Sequence, residues 1–69
     1  MWVLLTKISD TLILEKIKSI FYTNNITFFV VNKIDSLFLI GYYYIYVLKK
    51  DYEKAKKLIS ENGTEQFFD

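Results

Sequence analysis

The chain has 69 residues, and its nine basic and eight acidic side chains give a formal net charge of +1. A domain of this length has a marginal hydrophobic core, which such domains usually reinforce with disulfides, metals or oligomerisation. Because cysteine, histidine and arginine are absent, the composition excludes a disulfide, the usual zinc ligand and general base, and bidentate arginine contacts to phosphate. We expect no cofactor and no metal, and a second copy of the chain as partner.

The first half of the sequence predicts a strand, a helix and a second strand. Residues 2–7 predict the first strand, because the successive apolar residues 2–5 are typical of a strand covered on both faces. Either Ser9 or Asp10 can cap a helix over about 10–24. Asn25 favours its end, since asparagine tolerates the left-handed conformation of helix C-termini. The β-branched and aromatic residues of 26–32 predict the second strand. The predicted helix has one apolar stripe, with Leu14 at its edge: Ile13, Ile17, Ile20 and Phe21.

The second half predicts a strand, a helix and a short tail. A third strand is expected within 37–48, after a turn, with Gly41 marking a bulge or the end of an apolar loop. The pattern of 51–62 predicts a second helix that begins at Asp51 as its cap. The tail, 64–69, is either a fourth strand or an extension. The inner stripe of the second helix consists of Tyr52, Ala55, Leu58 and Ile59.

The order of these elements predicts one α+β domain spanning residues 1–69. A strand-helix-strand unit makes the first two strands parallel, and the short turn pairs the second and third strands antiparallel. The simplest arrangement is a ferredoxin-like β-α-β-β-α(-β) two-layer sandwich, with an antiparallel sheet and both helices on one of its faces.

The segment "VLKKDYEKAKKLI" resembles a small bacterial family of prokaryotic signal-transducing proteins, a domain of unknown function. The first helix is similar too, with "SD" before it and "NNI" where the family usually has a glycine followed by isoleucine. Leu48 stands where the family usually has proline. The resemblance covers about residues 2–61 and implies a ferredoxin-like fold and a regulatory role, without implying catalytic residues. The family's positions at the third strand and second helix are filled by Val47, Asp51, Ala55, Leu58 and Ile59.

The tyrosine-rich third strand divides by alternation into two sets. Tyr43, Ile45 and Val47 point to one side and are expected under the helices. The opposite set, together with Trp2, is the predicted ligand or partner face: Tyr42, Tyr44 and Tyr46. Since all three strands are apolar on both sides, this second face is expected to meet something, most simply a second copy of the chain. A small molecule or another protein is an alternative occupant.

Other interpretations remain open at this stage. "IGYYYIYV" partly matches the third-strand signature of RNA-recognition motifs, so single-stranded RNA is an alternative ligand, although the low net charge argues against nucleic acid. Lys49 and Lys50 beside a helix N-terminus form a possible anion site. Phe67 and Phe68 could dock the tail of a structural subunit into a partner.

The sequence argues against an enzyme and against a membrane protein. No phosphate loop, nucleophile motif or metal-ligand spacing is present, so no catalytic residue is assigned. The first ten residues lack a basic leader. The uncharged stretch 37–48 is shorter than the ~20 residues that a helix needs to cross a bilayer. We therefore expect a soluble, cytoplasmic protein.

Overall fold

The computed structural model describes residues 1–35, 37 and 40–62. These residues form a small α+β structure of three strands and two helices. The possible fourth strand over 64–69 lies outside the described residues. Along the chain the elements are β1 (Trp2–Ile8), α1 (Thr11–Thr23), β2 (Phe28–Asp35), β3 (Ile40–Leu48), a 3₁₀ turn (Lys49–Asp51) and α2 (Tyr52–Glu61).

The sheet has the strand order β1-β3-β2, with β3 at its centre. Both outer strands run antiparallel to β3. They are consequently parallel to each other, as expected for two strands joined by a helix. Tyr46 lies between Leu4 on β1 and Phe29 on β2, and Ile45 lies between Thr6 and Val30.

A register shift of the β-bulge type interrupts β1, not β3. Leu4 pairs with Tyr46 and Thr6 with Ile45, so Leu5 is an additional residue in its strand. Of the two alternatives for Gly41, a bulge is wrong, because Gly41 pairs with Ile34 in an unbroken register. Its position next to the first residue of β3, Ile40, is close to the other alternative, the end of a loop. The shift turns the side chain after Leu5 to the opposite side from that predicted by simple alternation.

Helix α1 begins and ends as its sequence predicts. The Asp10 carboxylate accepts hydrogen bonds from the backbone N–H groups of Leu12, at 2.8 Å, and Ile13, at 3.3 Å. Asn25 has a positive φ of 58°. The next N–H, that of Ile26, donates to the carbonyl of Phe21 at 2.9 Å, as in a Schellman motif. This bond explains why β2 begins at Phe28 and not at residue 26.

The start of helix α2 differs from the prediction. A 3₁₀ turn precedes the helix, and Asp51 makes no side-chain capping hydrogen bond. The backbone before α2 is therefore already helical. A residue that caps a helix with its side chain usually has an extended backbone conformation instead. At the other end, the Asn62 side-chain amide donates to the carbonyl of Leu58 at 2.7 Å.

The core lies between the sheet and the two helices. On β3, Ile45 and Val47 are fully buried, and Thr6 and Ile8 approach them from β1. Leu14, expected at the edge of the α1 stripe, is 5% exposed and belongs to the core. Both helices contribute to this single cluster, on the side of the sheet that carries Ile45. The buried helical side chains are Leu14, Ile17, Phe21, Ala55 and Ile59.

Candidate functional site

The side of the sheet opposite the core, here called the open face, carries the predicted site. Residues that pair across neighbouring strands place their side chains on the same side of a sheet. The register therefore assigns each strand's contribution from its pairing with β3. The open face consists of Trp2, Leu4 and Lys7 on β1, Phe29, Val31 and Lys33 on β2, and Tyr42, Tyr44, Tyr46 and Leu48 on β3.

The tyrosines of β3 divide between the two sides as alternation predicts. Tyr43 packs against the core, and its hydroxyl lies 3.4 Å from Thr11 Oγ1 at the start of α1. Tyr42, Tyr44 and Tyr46 lie on the open face and are half-buried. Since neighbouring side chains on the same sheet surface cover much of each ring, these phenols form part of a continuous surface.

One end of the open face is rich in aromatic side chains. The Trp2 and Phe29 rings meet edge to face with centroids 4.8 Å apart. Phe29 also stacks on Tyr46 at 4.8 Å and an interplanar angle of 8°. Trp2 is 44% exposed, Phe29 is 37% exposed and Leu4 is 47% exposed. We call Trp2, Leu4, Phe29 and Tyr46 the aromatic end.

The other end combines lysines with tyrosines. The Lys7 ammonium lies 4.8 Å from the centre of the Tyr42 ring, and that of Lys33 lies 5.1 Å from the centre of the Tyr44 ring. Both distances are within the range of a cation–π interaction. These four residues are called the lysine end.

Sequence reasoning missed both lysines. The position of Lys33 could have been predicted, because Lys33 follows Phe29 and Val31 on the same side of an alternating strand. The position of Lys7 could not have been predicted, because alternation from Trp2 and Leu4 assigns Lys7 to the buried side. The register shift at Leu5 places it on the open face.

The remaining predicted sites are distributed elsewhere or lie outside the described structure. Lys49 and Lys50 are exposed on the 3₁₀ turn that leads from β3 into α2. Phe67 and Phe68 lie outside the described residues. Within 1–35, 37 and 40–62, the acidic side chains form no group of three or more that could hold a metal ion.

Comparison with known proteins identifies no relative. No protein-family model, no curated protein and no solved structure matches the chain. Neither helix of the described part has the length and hydrophobicity needed to cross a bilayer.

Proposed function

We propose that this chain is a non-catalytic interaction module of regulatory type, and that it forms a small homodimer through the open face. The observation that carries the proposal is the exposure of Trp2, Leu4 and Phe29, each more than a third exposed, on one continuous surface. Contiguous exposed apolar surface of this kind marks interaction sites in soluble proteins.

The sheet pattern supports a covered second face. An antiparallel sheet with helices on one side usually alternates between apolar residues facing the core and polar residues facing water. Here Phe29 and Val31 on β2 lie on the open face, next to Tyr46 and Tyr44 of β3. A face-to-face pair of sheets would bury these side chains and leave phenol hydroxyls at a wet rim.

A ferredoxin-like fold is part of the same proposal. The order β1-β3-β2 leaves the outer edge of β1 available among the described strands. In a ferredoxin-like sheet, a strand that follows the second helix pairs with this edge, and the segment 64–69 has the position in sequence to do so. A regulatory role is the one implied by the sequence resemblance to prokaryotic signal-transducing proteins.

The dimensions of the open face set the expected affinity. Three strands, of which the longest has nine residues, present a face on the order of 400 Å². A standard stable interface buries about 800 Å² on each partner. The dimer is therefore weak, with a dissociation constant in the micromolar range or above.

The test is light scattering after size exclusion, over a series from low micromolar to near-millimolar concentrations. We expect a concentration-dependent dimer and a blue shift of the fluorescence of Trp2, the single tryptophan of the chain. Leu4→Lys should abolish the dimer, whereas Leu12→Lys should not. Leu12 is the matched control because it is a leucine on α1 that is 80% exposed. A wild-type monomer throughout the series would refute the proposal.

Single-stranded RNA is a second candidate ligand, favoured by one specific observation. Lys7 and Lys33 place two ammonium groups beside Tyr42 and Tyr44 on the same face. Proteins that bind single-stranded nucleic acids use cations to contact the phosphate backbone and aromatic rings to stack on the bases. Titration of the same samples with mixed-sequence oligonucleotides tests it by fluorescence anisotropy. Binding that weakens with salt and with Tyr44→Ala would favour RNA, and an unchanged anisotropy would exclude it.

A further inference from the structure

The two outer strands of the sheet differ in how well their outer edges are protected from pairing. A register shift interrupts β1 at Leu5, whereas all eight residues of β2 pair with β3 in an unbroken register. Bulges, prolines and charges are the usual means of preventing an edge strand from pairing with another chain. β2 contains no proline, and its first five residues, "FFVVN", are uncharged. Among the described strands, β2 has a partner on one side only.

We infer that the outer edge of β2 pairs antiparallel with β2 of a second copy, which joins the sheets of two chains into one continuous sheet. The twofold axis of this pair is perpendicular to the sheet, so the open faces of both copies lie on the same side. The edge is a second surface of self-association, and its pairing does not depend on the face-to-face contact of the proposed homodimer.

A concave surface runs along this edge on the side of α1. Its lining consists of the consecutive residues 26–30 together with Lys18 and Tyr22 of α1. Because the inner edge of β2 is paired with β3, a surface that contacts consecutive residues of the strand lies at the outer edge. The Tyr22 ring is 69% exposed and meets the Phe28 ring edge to face, with centroids 5.3 Å apart. The edge is therefore flanked by exposed aromatic surface.

A second exposed apolar side chain lies on the same strand, on the helix side of the sheet. Ile34 pairs with Gly41, which alternation places on the same side as Tyr43 and Ile45, and it is 69% exposed. A contact through the open face leaves Ile34 uncovered, because Ile34 lies on the opposite side. Pairing of two β2 edges covers it.

The sequence of β2 is self-complementary in one register. Directly opposite residues lie on the same side of a sheet, so the axis passes through a residue and not between two residues. With Val31 opposite the partner's Val31, residues 28–34 pair, and Phe28 lies opposite Ile34 while Phe29 lies opposite Lys33. The first is an aromatic pair with a β-branched residue, and the second brings an ammonium group to an aromatic ring. Each contact occurs twice.

Other registers are less favourable. With Asn32 at the axis, Phe29 loses the lysine and lies opposite Asp35. With Lys33 at the axis, two ammonium groups lie directly opposite each other, which is destabilising. A register shifted the other way pairs fewer residues of the strand. The axis at Val31 is therefore the one that the sequence of the strand favours.

The remaining charges near the edge do not oppose this pairing. Asp35 is the residue after the last pair and lies opposite Thr27 of the partner, which is uncharged. Lys18, in the concave surface, has its ammonium 3.5 Å from the carboxylate of Glu15 on the same helix. No like charges are therefore placed opposite each other along the paired strands.

The edge pair also enlarges the open face. Since one chain presents a face on the order of 400 Å², two edge-paired chains present about 800 Å² on one side. A standard stable interface buries about this area on each partner. Two edge-paired dimers can therefore stack through their open faces into a closed tetramer, in which each contact raises the effective concentration for the other.

The test is disulfide trapping, for which the absence of cysteine from the chain is an advantage. In Val31→Cys the two thiols lie opposite each other at the axis, with Cα atoms about 5 Å apart, which suits a disulfide. The variant is made together with Leu4→Lys, which disrupts the face-to-face contact. We expect mild oxidation to give a covalent dimer on a denaturing gel. Adding Ile34→Ala should slow its formation about threefold, because two contacts with Phe28 are lost.

The matched control is Asn32→Cys in the same Leu4→Lys chain. Asn32 is the next residue of the strand and is more exposed than Val31, so random collisions would cross-link it faster. In the inferred register its Cα lies about 8 Å from the partner's Asn32, too far for a disulfide. Cross-linking of Val31→Cys no faster than that of Asn32→Cys would overturn the edge pair. A wild-type chain that remains monomeric in light scattering would instead refute the proposed function, so the two failures are distinguishable.

Discussion

The two faces of the sheet carry different kinds of side chain. Under the helices, β3 places the branched aliphatic residues Ile45 and Val47, both fully buried. On the open face it places Tyr44 and Tyr46, which are half-buried and contact Lys33 and Phe29. Aliphatic residues have no polar group to satisfy, whereas a tyrosine or lysine can keep one end in water. One face is therefore buried in the core, and the other is the face that we propose contacts a partner.

The comparison is tested most strongly by the same substitution in the core, which covers one face of the sheet, and on the open face. Phe21→Ala removes a fully buried ring that contacts Phe28 edge to face. We expect a loss of about 3–5 kcal/mol in the free energy of unfolding, measured by urea denaturation. Because a domain of this size has only ~5 kcal/mol of total stability, the variant should be largely unfolded.

Phe29→Ala is the matched control on the open face. Phe29 is 37% exposed and contacts Trp2 and Tyr46. At concentrations below dimerisation we expect a loss of about 1 kcal/mol. Equal losses for the two variants would contradict the functional distinction between the faces.

A smaller effect is expected where the helical layer is attached to the sheet. Asp10→Ala removes the carboxylate that accepts hydrogen bonds from two N–H groups at the start of α1. Loss of such a cap costs about 1 kcal/mol, which should appear as a lower urea midpoint with an unchanged slope. Ser9→Ala is the control, with an expected change within about 0.5 kcal/mol. A larger effect for Ser9 than for Asp10 would reassign the cap.

The smallest effect is expected for the loss of a lysine on the open face. Lys33→Gln removes the ammonium that lies 5.1 Å from the Tyr44 ring centre. An exposed cation–π contact contributes about 0.5 kcal/mol, so the unfolding free energy of the monomer should barely change. The measurement is urea denaturation at low micromolar protein. A loss above about 2 kcal/mol would mean that Lys33 supports the fold itself.

The sequence predicts those features that depend on local spacing. The cap at Asp10, the left-handed turn at Asn25 and the division of the tyrosines each depend on residue type and on the period of a helix or strand. These features can be predicted because each depends on residues that are close to one another in the sequence. The presence of three strands and two helices follows from the same patterns.

Other features depend on contacts that spacing does not encode. The start of β2 is set by the Ile26 N–H, which donates to Phe21 and is thereby withdrawn from the sheet. Asp51 is the right residue type for a cap, but the backbone before α2 is already helical. The position of Lys7 depends on how β1 pairs with β3, which simple alternation cannot show. One of the two lysines of the lysine end could therefore not be placed from the sequence.

The additional residue in β1 changes the side of the sheet on which the later side chains of the strand lie. Up to Leu4 the even-numbered residues Trp2 and Leu4 face the open side, whereas after Leu5 the odd-numbered Lys7 does. If Leu5 instead took its place in a regular alternation, Lys7 would face the hydrophobic interior and Ile8 would face water. Deleting Leu5 would leave Leu4, Thr6, Lys7 and Ile8 on the sides of the sheet that they occupy now, because their partners on β3 are already consecutive. The position of Lys7 on the open face is therefore due to one residue whose own pairing with β3 is missing.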